Sequence, residues 1–330
     1  MRATWHDRYG AKDVIRVIDT EIPAPKPDEL LVRVHASTVS RTDCALLSAT
    51  PFFMRLATGL RVPKEQTLGT DFAGQVEAVG SAVADFNVGD KVWGFNDIGV
   101  RSHAEYLVVS TKDAVAKMPD CLSFGDAAAS IEGAFYAYNF LNKVNVGPGT
   151  KVLINGATGA IGSALVQLAK YVGATVTAVG NTKNLELLRC LGADRVIDYL
   201  HDDFTKDDET YDYVFDAVGK STFGKTRHLL KPKGVYISSD LGPGAQNIVL
   251  ALLTPIFGRR KVVFPNPTDI GGFMDLMGEL AETGEFSPVV DRSFTLDTIR
   301  DAYAFVSSGH KTGSVVLDLY PSEDEEEKSL

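Results

Sequence analysis

The apolar run Lys151-Val152-Leu153-Ile154 ends in Asn155 and a string of small residues, Gly156, Ala157, Thr158, Gly159, Ala160, Ile161 and Gly162. Beyond it Ile161, Leu165, Leu168 and Ala169 recur on one face of a helix. A strand that turns into a helix in this way leaves amide N–H groups, worth about half a positive charge, facing an anion. The chemistry it supports is pyrophosphate binding. Gly159 lets the backbone approach the phosphates with no Cβ in the way, and Gly162 lets the helix pack on the strand. The first glycine of the Gly-x-Gly-x-x-Gly fingerprint is replaced by Ala157. The strand before, the helix after and five further strands favour a dinucleotide over a bare tight turn.

The choice of dinucleotide rests on the end of the second strand, where an acidic side chain would chelate the ribose hydroxyls and repel a 2′-phosphate. Counting on from Gly162 reaches Gly180-Asn181-Thr182-Lys183, with no acid. Asn181 and Thr182 can donate hydrogen bonds and Lys183 supplies positive charge, which favours NADPH. The plainer reading of Lys183, a surface lysine at the start of a helix, stays open.

The elements that must position this turn follow from the pattern. Strands at 151–154, 175–179, 195–197, 213–215, 234–237 and 261–264 alternate with helical segments, the signature of a doubly wound parallel sheet. The first third instead reads as short strands broken by Pro and Gly, an all-β unit. After 265–267 come a helix at 269–283, a segment at 287–294, a helix at 296–306 and a closing strand at 314–319. That last part has no parallel partner of its own and is expected to return to the first domain. The expected division is 1–125 and 266–320 for one domain, 126–265 for the dinucleotide domain, and 321–330 for an acidic disordered tail.

Composition narrows the function classes. With 330 residues, 45% hydrophobic and 23% charged, the chain reads as a two-domain globular protein. The 33 basic residues are outnumbered by 43 acidic ones, and no basic stripe is evident, so nucleic acid is not an expected partner. The longest apolar run, 248–253, is six residues and closes at Thr254-Pro255, far short of the ~18 of a membrane span. No apolar segment marks the amino terminus as a secretory signal. Cys44, Cys121 and Cys190 are scattered, which points to small buried or half-buried residues in a reducing, cytoplasmic compartment. The six histidines show no ligand spacing and read as surface or core residues.

With these residues in place, the chain resembles the medium-chain dehydrogenase/reductase superfamily, in its zinc-independent quinone oxidoreductase-like branch. The likeness runs through Gly69-Thr70-Asp71-Phe72-Ala73-Gly74, Val76-Glu77-Ala78-Val79-Gly80, Val88-Gly89-Asp90-Lys91-Val92, the turn from Asn155 to Gly162, Leu191-Gly192-Ala193-Asp194 with Val196-Ile197-Asp198-Tyr199, and Asp216-Ala217-Val218-Gly219. The resemblance implies an α/β protein: a GroES-like, β-rich catalytic domain interrupted by a Rossmann domain. It implies that Tyr199 lies by the adenosine 2′-phosphate, that Ala217, Val218 and Gly219 pass the ribose, and that Ser239 and Leu241 sit near the nicotinamide. Ser40 and the loop Ser130-Ile131-Glu132-Gly133 would line the hydride-transfer cleft, Glu132 standing where relatives more often carry Thr. Zinc members hold metal with Cys and His at the positions of Ser40 and Thr70; a hydroxyl pair is a poor zinc site.

The expected activity is therefore NADPH-dependent reduction of a quinone or an α,β-unsaturated carbonyl, whose conjugation spreads the developing charge without a Lewis acid. The run Phe52-Phe53-Met54-Arg55-Leu56 suits either an outer wall for a flat substrate or a packed helix. An NADPH-binding structural or trafficking protein and a zinc-dependent alcohol dehydrogenase are the competing readings. The unpaired last strand near 261–264 offers an edge for a homodimer.

Overall fold

The structure, a computed structural model, describes residues 1–257, 259–266 and 268–320, without the side chains of Phe53, Ala57 and Phe257. The acidic tail expected at 321–330 lies outside the described residues. The chain forms two compact units: Met1–Glu132 with Met274–Glu282 and the segment from Val289 on, and Gly133–Phe273 with Thr283–Pro288. The divisions differ by several residues from those expected at 125 and 265. Two helices, Glu132–Leu141 and Ile270–Thr283, contribute residues to both units.

The first unit starts with an antiparallel pair, β1 (Arg2–Trp5) and β2 (Arg16–Asp19). There follow β3 (Glu29–Thr38), α1 (Arg41–Ser48), α2 (Arg55–Thr58), β4 (Asp71–Val79), β5 (Lys91–Phe95), β6 (Tyr106–Ser110), β7 (Ala114–Lys117) and α3 (Phe124–Ala129). Leu30, Val32 and Val34 of β3 alternate inward and meet Phe72, Val76, Val92, Leu107 and Val109 in one buried cluster. Each such side chain contributes roughly 1.5–3 kcal/mol. Phe52 and Leu56 are exposed and Met54 is half-buried, so at least two of the large apolar side chains of 52–58 are not packed as those of a buried helix would be.

The second unit contains most of α4 (Glu132–Leu141), then β8 (Lys151–Asn155), α5 (Ala160–Tyr171), β9 (Thr175–Gly180), α6 (Leu185–Cys190), β10 (Arg195–Asp198), β11 (Tyr211–Asp216), α7 (Phe223–Thr226), β12 (Leu230–Ser238), α8 (Gln246–Phe257), β13 (Lys261–Val263) and the start of α9 (Ile270–Thr283). Its six strands are all parallel in the order β10-β9-β8-β11-β12-β13, the doubly wound arrangement expected. The order reverses beside β8, where ligands bind in such sheets.

The chain then returns to the first sheet. β14 (Val290–Thr295) pairs in parallel with β15 (Ser314–Asp318), α10 (Ile299–Ser308) lies between them in sequence, and β15 pairs antiparallel with β3. This closes a seven-stranded sheet. One expectation needs correcting: Cys121 and Cys190 are exposed, and only Cys44 is partly buried.

Candidate functional site

The glycines between β8 and α5 divide by what an added Cβ would meet. At Gly156, with φ +76°, it would fall 2.6 Å from the Cβ of Val218; at Gly162 it would fall 2.1 Å from the carbonyl oxygen of Gly156. Both are fixed by close packing. At Gly159 its nearest neighbour would be 3.7 Å away, so the fold itself tolerates a side chain there. Gly159 is the N-cap of α5 and offers no side-chain cap, leaving the first-turn amides for an anion. Ala157 is fully buried, its N–H donating to Val179. A turn of this kind could hold a pyrophosphate.

The loop after β11 is held by one carboxylate. Asp216 is fully buried and accepts from Asn155 Nδ2 (2.9 Å), Gly219 N (3.1 Å), Val218 N (3.4 Å), Ser221 N (3.0 Å) and the Tyr236 hydroxyl (3.0 Å). Ala217 N–H donates to Asn155, and Ser239 N–H to the carbonyl of Asp216. Ala217, Val218, Gly219 and Ser239 therefore meet the Gly156 turn at one sheet edge. Leu241, two residues on, accepts from Asn247 N–H at the approach to α8. Asp216 belongs to the motif Asp216-Ala217-Val218-Gly219, whose sequence alone gives no sign of this anchoring role.

At the ends of β9 and β10, Tyr199 N–H donates to Gly180, which brings Tyr199 to the Asn181-Thr182-Lys183 segment. Lys183 and Tyr199 are exposed, and Asn181 Oδ1 is buried with no partner among the described residues. That atom fits the hydroxyl of a bound ribose. The expectation that Thr182 donates to the ligand meets a competitor: its hydroxyl donates to Asp198. The parallel register that pairs Asp198 with Gly180 places this acid there. The Thr182 hydrogen bond holds the Asp198 carboxyl below its ordinary range.

In the first unit Ser40 and Glu132 converge on the first turn of α1. Ser40 is its N-cap: its hydroxyl accepts from Asp43 N–H and donates to Asp43 Oδ2 at 2.7 Å, and its own N–H donates to the same carboxylate. The Ser40 hydroxyl is thus committed to the cap. Glu132, only 8% exposed, accepts from Thr42 one residue before Asp43. Asp71 accepts from Thr38 N–H and from the Thr38 and Ser37 hydroxyls. His103 is also buried, between the Thr38 carbonyl and the Tyr303 hydroxyl. Burial pushes its pKa down to about 4, so it is neutral. Thr42, Asp43, Asp71 and Lys311, whose charge favours ionised Glu132, were not singled out from sequence. Asp43 carried a signal, the Ser-x-x-Asp capping spacing; Lys311 carried none.

Burial pushes the Asp43 carboxyl up to about 6, that of Glu132 to about 7 and that of Asp71 to about 8; the Asp43 charge adds to the rise at Glu132, and the charges of Asp43 and Glu132 add to the rise at Asp71. Their folded values lie above the unfolded ones. Their contribution to stability is therefore full below about pH 4 and is lost as pH rises through 6 to 8. Thermal unfolding should show a midpoint that falls between pH 5 and pH 8.5. Glu132→Gln should flatten that fall by up to about 3 kcal/mol; an unchanged slope would refute the assignment.

Among the described residues, no group of three or more His, Cys, Asp or Glu is arranged to hold a metal ion, and no helix is long and apolar enough to cross a membrane.

Comparison with known proteins agrees with this architecture. Residues 26–120 match the alcohol dehydrogenase GroES-like domain, and residues 191–317 match the zinc-binding dehydrogenase family. The 2-methylene-furan-3-one reductase of Solanum lycopersicum is 32% identical over 97% of this chain and 80% of its own length. The chloroplastic NADPH-dependent alkenal/one oxidoreductase of Arabidopsis thaliana is 31% identical with the same coverage. The solved quinone oxidoreductase from Coxiella burnetii superposes with a TM-score of 0.84 at 27% identity, over 97% of this chain and 99% of that one. The chain belongs to the medium-chain dehydrogenase/reductase superfamily, in its quinone oxidoreductase-like branch.

Proposed function

We propose that this protein is a metal-independent reductase that uses NADPH to reduce a quinone or an α,β-unsaturated carbonyl. The observation that carries the reading is the open position at Gly159, the one glycine of the three whose bareness the fold itself does not require. When bound, NADPH supplies a hydride from its nicotinamide. The residues that would hold it are Gly156 to Gly162 at the pyrophosphate, Asn181, Thr182, Lys183 and Tyr199 at the adenosine ribose, Ala217 to Gly219 at the second ribose, and Ser239 and Leu241 toward the nicotinamide. Glu132, with Thr42 as its hydrogen-bond donor, is the group suited to hold a proton near neutral pH, and Ser40 positions Thr42 by capping α1.

The names of the relatives, an enone reductase, an alkenal/one oxidoreductase and a quinone oxidoreductase, support this substrate class. Metal independence is supported by the donor chemistry: Ser40 and Thr70 offer hydroxyls, and zinc favours thiolate and imidazole. NADPH oxidation with a panel of quinones and enones, in a chelator, tests the proposal. Binding without turnover would favour a structural role, and turnover restored only by zinc would favour an alcohol dehydrogenase.

One observation favours NADH instead, the Asp198 carboxylate beside Thr182. Lys183→Glu separates the two. The NADPH reading expects KM for NADPH to rise roughly tenfold or more, the ~1–2 kcal/mol of a lost charge-assisted contact and added repulsion, with little change for NADH. An equal effect on both would refute it.

We also propose a homodimer through the free edge of β13, the outermost strand, and a reducing compartment such as the cytoplasm, which suits three free cysteines.

A further inference from the structure

The ends of β9 and β10 bring together hydrogen-bonding groups of two kinds. Lys183 and the Tyr199 hydroxyl are donors, suited to a phosphate. Their neighbours are acceptors. Asn181 Oδ1 is buried and has no partner among the described residues. The Thr182 hydroxyl has a single proton, and that proton is given to Asp198 Oδ2. What Thr182 has left for a ligand is a lone pair. A ribose 2′-hydroxyl can donate to it, whereas a 2′-phosphate, mostly dianionic at neutral pH, sets acceptor against acceptor.

The direction of that hydrogen bond is set by Asp198. The parallel register pairs Asp198 with Gly180, and Tyr199 N–H donates to the Gly180 carbonyl at 3.0 Å, so β10 ends against the Asn181-Thr182 turn. Asp198 Oδ1 accepts from Leu200 N–H at 3.0 Å, while Oδ2 takes the Thr182 proton. Among the described residues the one basic nitrogen that pairs with this carboxylate is His201 Nε2, at 3.8 Å; no lysine or arginine does. The Thr182 hydroxyl, followed by the Leu200 amide, keeps the group ionised. A negative charge without a permanent counter-charge therefore stands one hydrogen bond from Thr182.

We propose that Asp198 is the positioning residue that sets cofactor selectivity: by holding the Thr182 proton and a negative charge beside the adenosine 2′ position, it lets the protein accept NADH as well as NADPH. The inference rests on the reading that the adenosine ribose lies at Asn181 to Lys183. A neutral side chain at position 198 removes both effects. In Asp198→Asn the amide nitrogen can donate to the Thr182 hydroxyl while the amide oxygen still accepts from Leu200 N–H. The Thr182 proton is then released toward a phosphate oxygen, and Lys183 attracts that phosphate with no opposing charge beside it.

The test is calorimetric titration of the full-length protein with 5′-AMP and with 2′,5′-ADP, which differ only in the 2′-phosphate, beside kcat/KM for NADH and NADPH with one enone. Wild-type protein is expected to bind both fragments and to turn over both cofactors. Asp198→Asn should tighten 2′,5′-ADP about tenfold or more, the gain of a charge-assisted hydrogen bond and of lost repulsion, and change 5′-AMP less than about threefold. The kcat/KM ratio of NADPH to NADH should rise by a similar factor, through KM and not kcat. Asp198→Ser, a smaller neutral residue, should move the ratio the same way and serves if the asparagine variant does not fold; thermal melts report folding. Ratios within about twofold of wild type in these variants, while Lys183→Glu still weakens 2′,5′-ADP, overturn the inference and leave the site standing. If Lys183→Glu and the Asp198 variants all affect the two fragments alike, the adenosine ribose lies elsewhere and the site reading itself falls. Wild-type protein that binds neither 5′-AMP nor NADH also overturns the proposal.

Discussion

Gly159→Ala should leave the protein as stable as wild type and weaken NADPH binding by about 10- to 100-fold, the ~1–3 kcal/mol of a methyl forced into a close-packed contact. The asymmetry is the point of the experiment. An added Cβ at Gly159 meets only the Gly156 carbonyl, 3.7 Å away, so nothing in the folded chain opposes it. The same substitution at Gly162 sets a carbon 2.1 Å from that carbonyl and 2.6 Å from the Ala157 Cα, where backbone on both sides leaves no escape. Gly162→Ala should therefore cost at least about 3 kcal/mol of stability and lose the cofactor through the fold. Denaturation and fluorescence titration of both variants separate the effects. Equal destabilisation, or unchanged affinity in Gly159→Ala, would place the pyrophosphate elsewhere.

The second large effect is expected at Asp216. Its Oδ1 accepts from Asn155, Val218 and Gly219, its Oδ2 from Ser221 and Tyr236. Alanine would strand all five donors, those of Asn155, Ser221 and Tyr236 in the buried interior, at a cost of about 3–5 kcal/mol. Asparagine keeps the shape but offers one acceptor where two are needed, so Asp216→Asn should fall between alanine and wild type. Because the carboxylate fixes the loop carrying Val218 and Gly219, the asparagine variant should also show weaker cofactor binding at temperatures where it remains folded. Urea denaturation with calorimetric titration checks both; a variant of wild-type stability would show that water replaces the carboxylate.

These residues illustrate what was readable in the chain. The Gly159 turn was legible because strand, small residues and helix are contiguous, and local periodicity reports local structure. The six parallel strands and the return of the final strand to the first sheet were legible for the same reason, since each element carries its own pattern. Asp198 was not. Counting along the second strand correctly reaches Asn181 to Lys183, but the acid arrives from the neighbouring strand, through a register that pairs Asp198 with Gly180. Asp71 reaches Thr38 across 33 residues and His103 reaches Tyr303 across 200, separations at which a single sequence holds no record of proximity. Ser40 was noticed for its hydroxyl, yet that hydroxyl is held by the cap three residues on.

The central claim is that this chain transfers hydride from a phosphorylated nicotinamide to a conjugated acceptor with no metal taking part. The most direct measurement follows the hydride itself: NADPH carrying deuterium at C4 is mixed with an enone and chelator-treated protein, and the product is examined by mass spectrometry and NMR. The account predicts deuterium at the β-carbon, at the same rate with and without added zinc. Label that never reaches the product, or that reaches it only once zinc is restored, would contradict it.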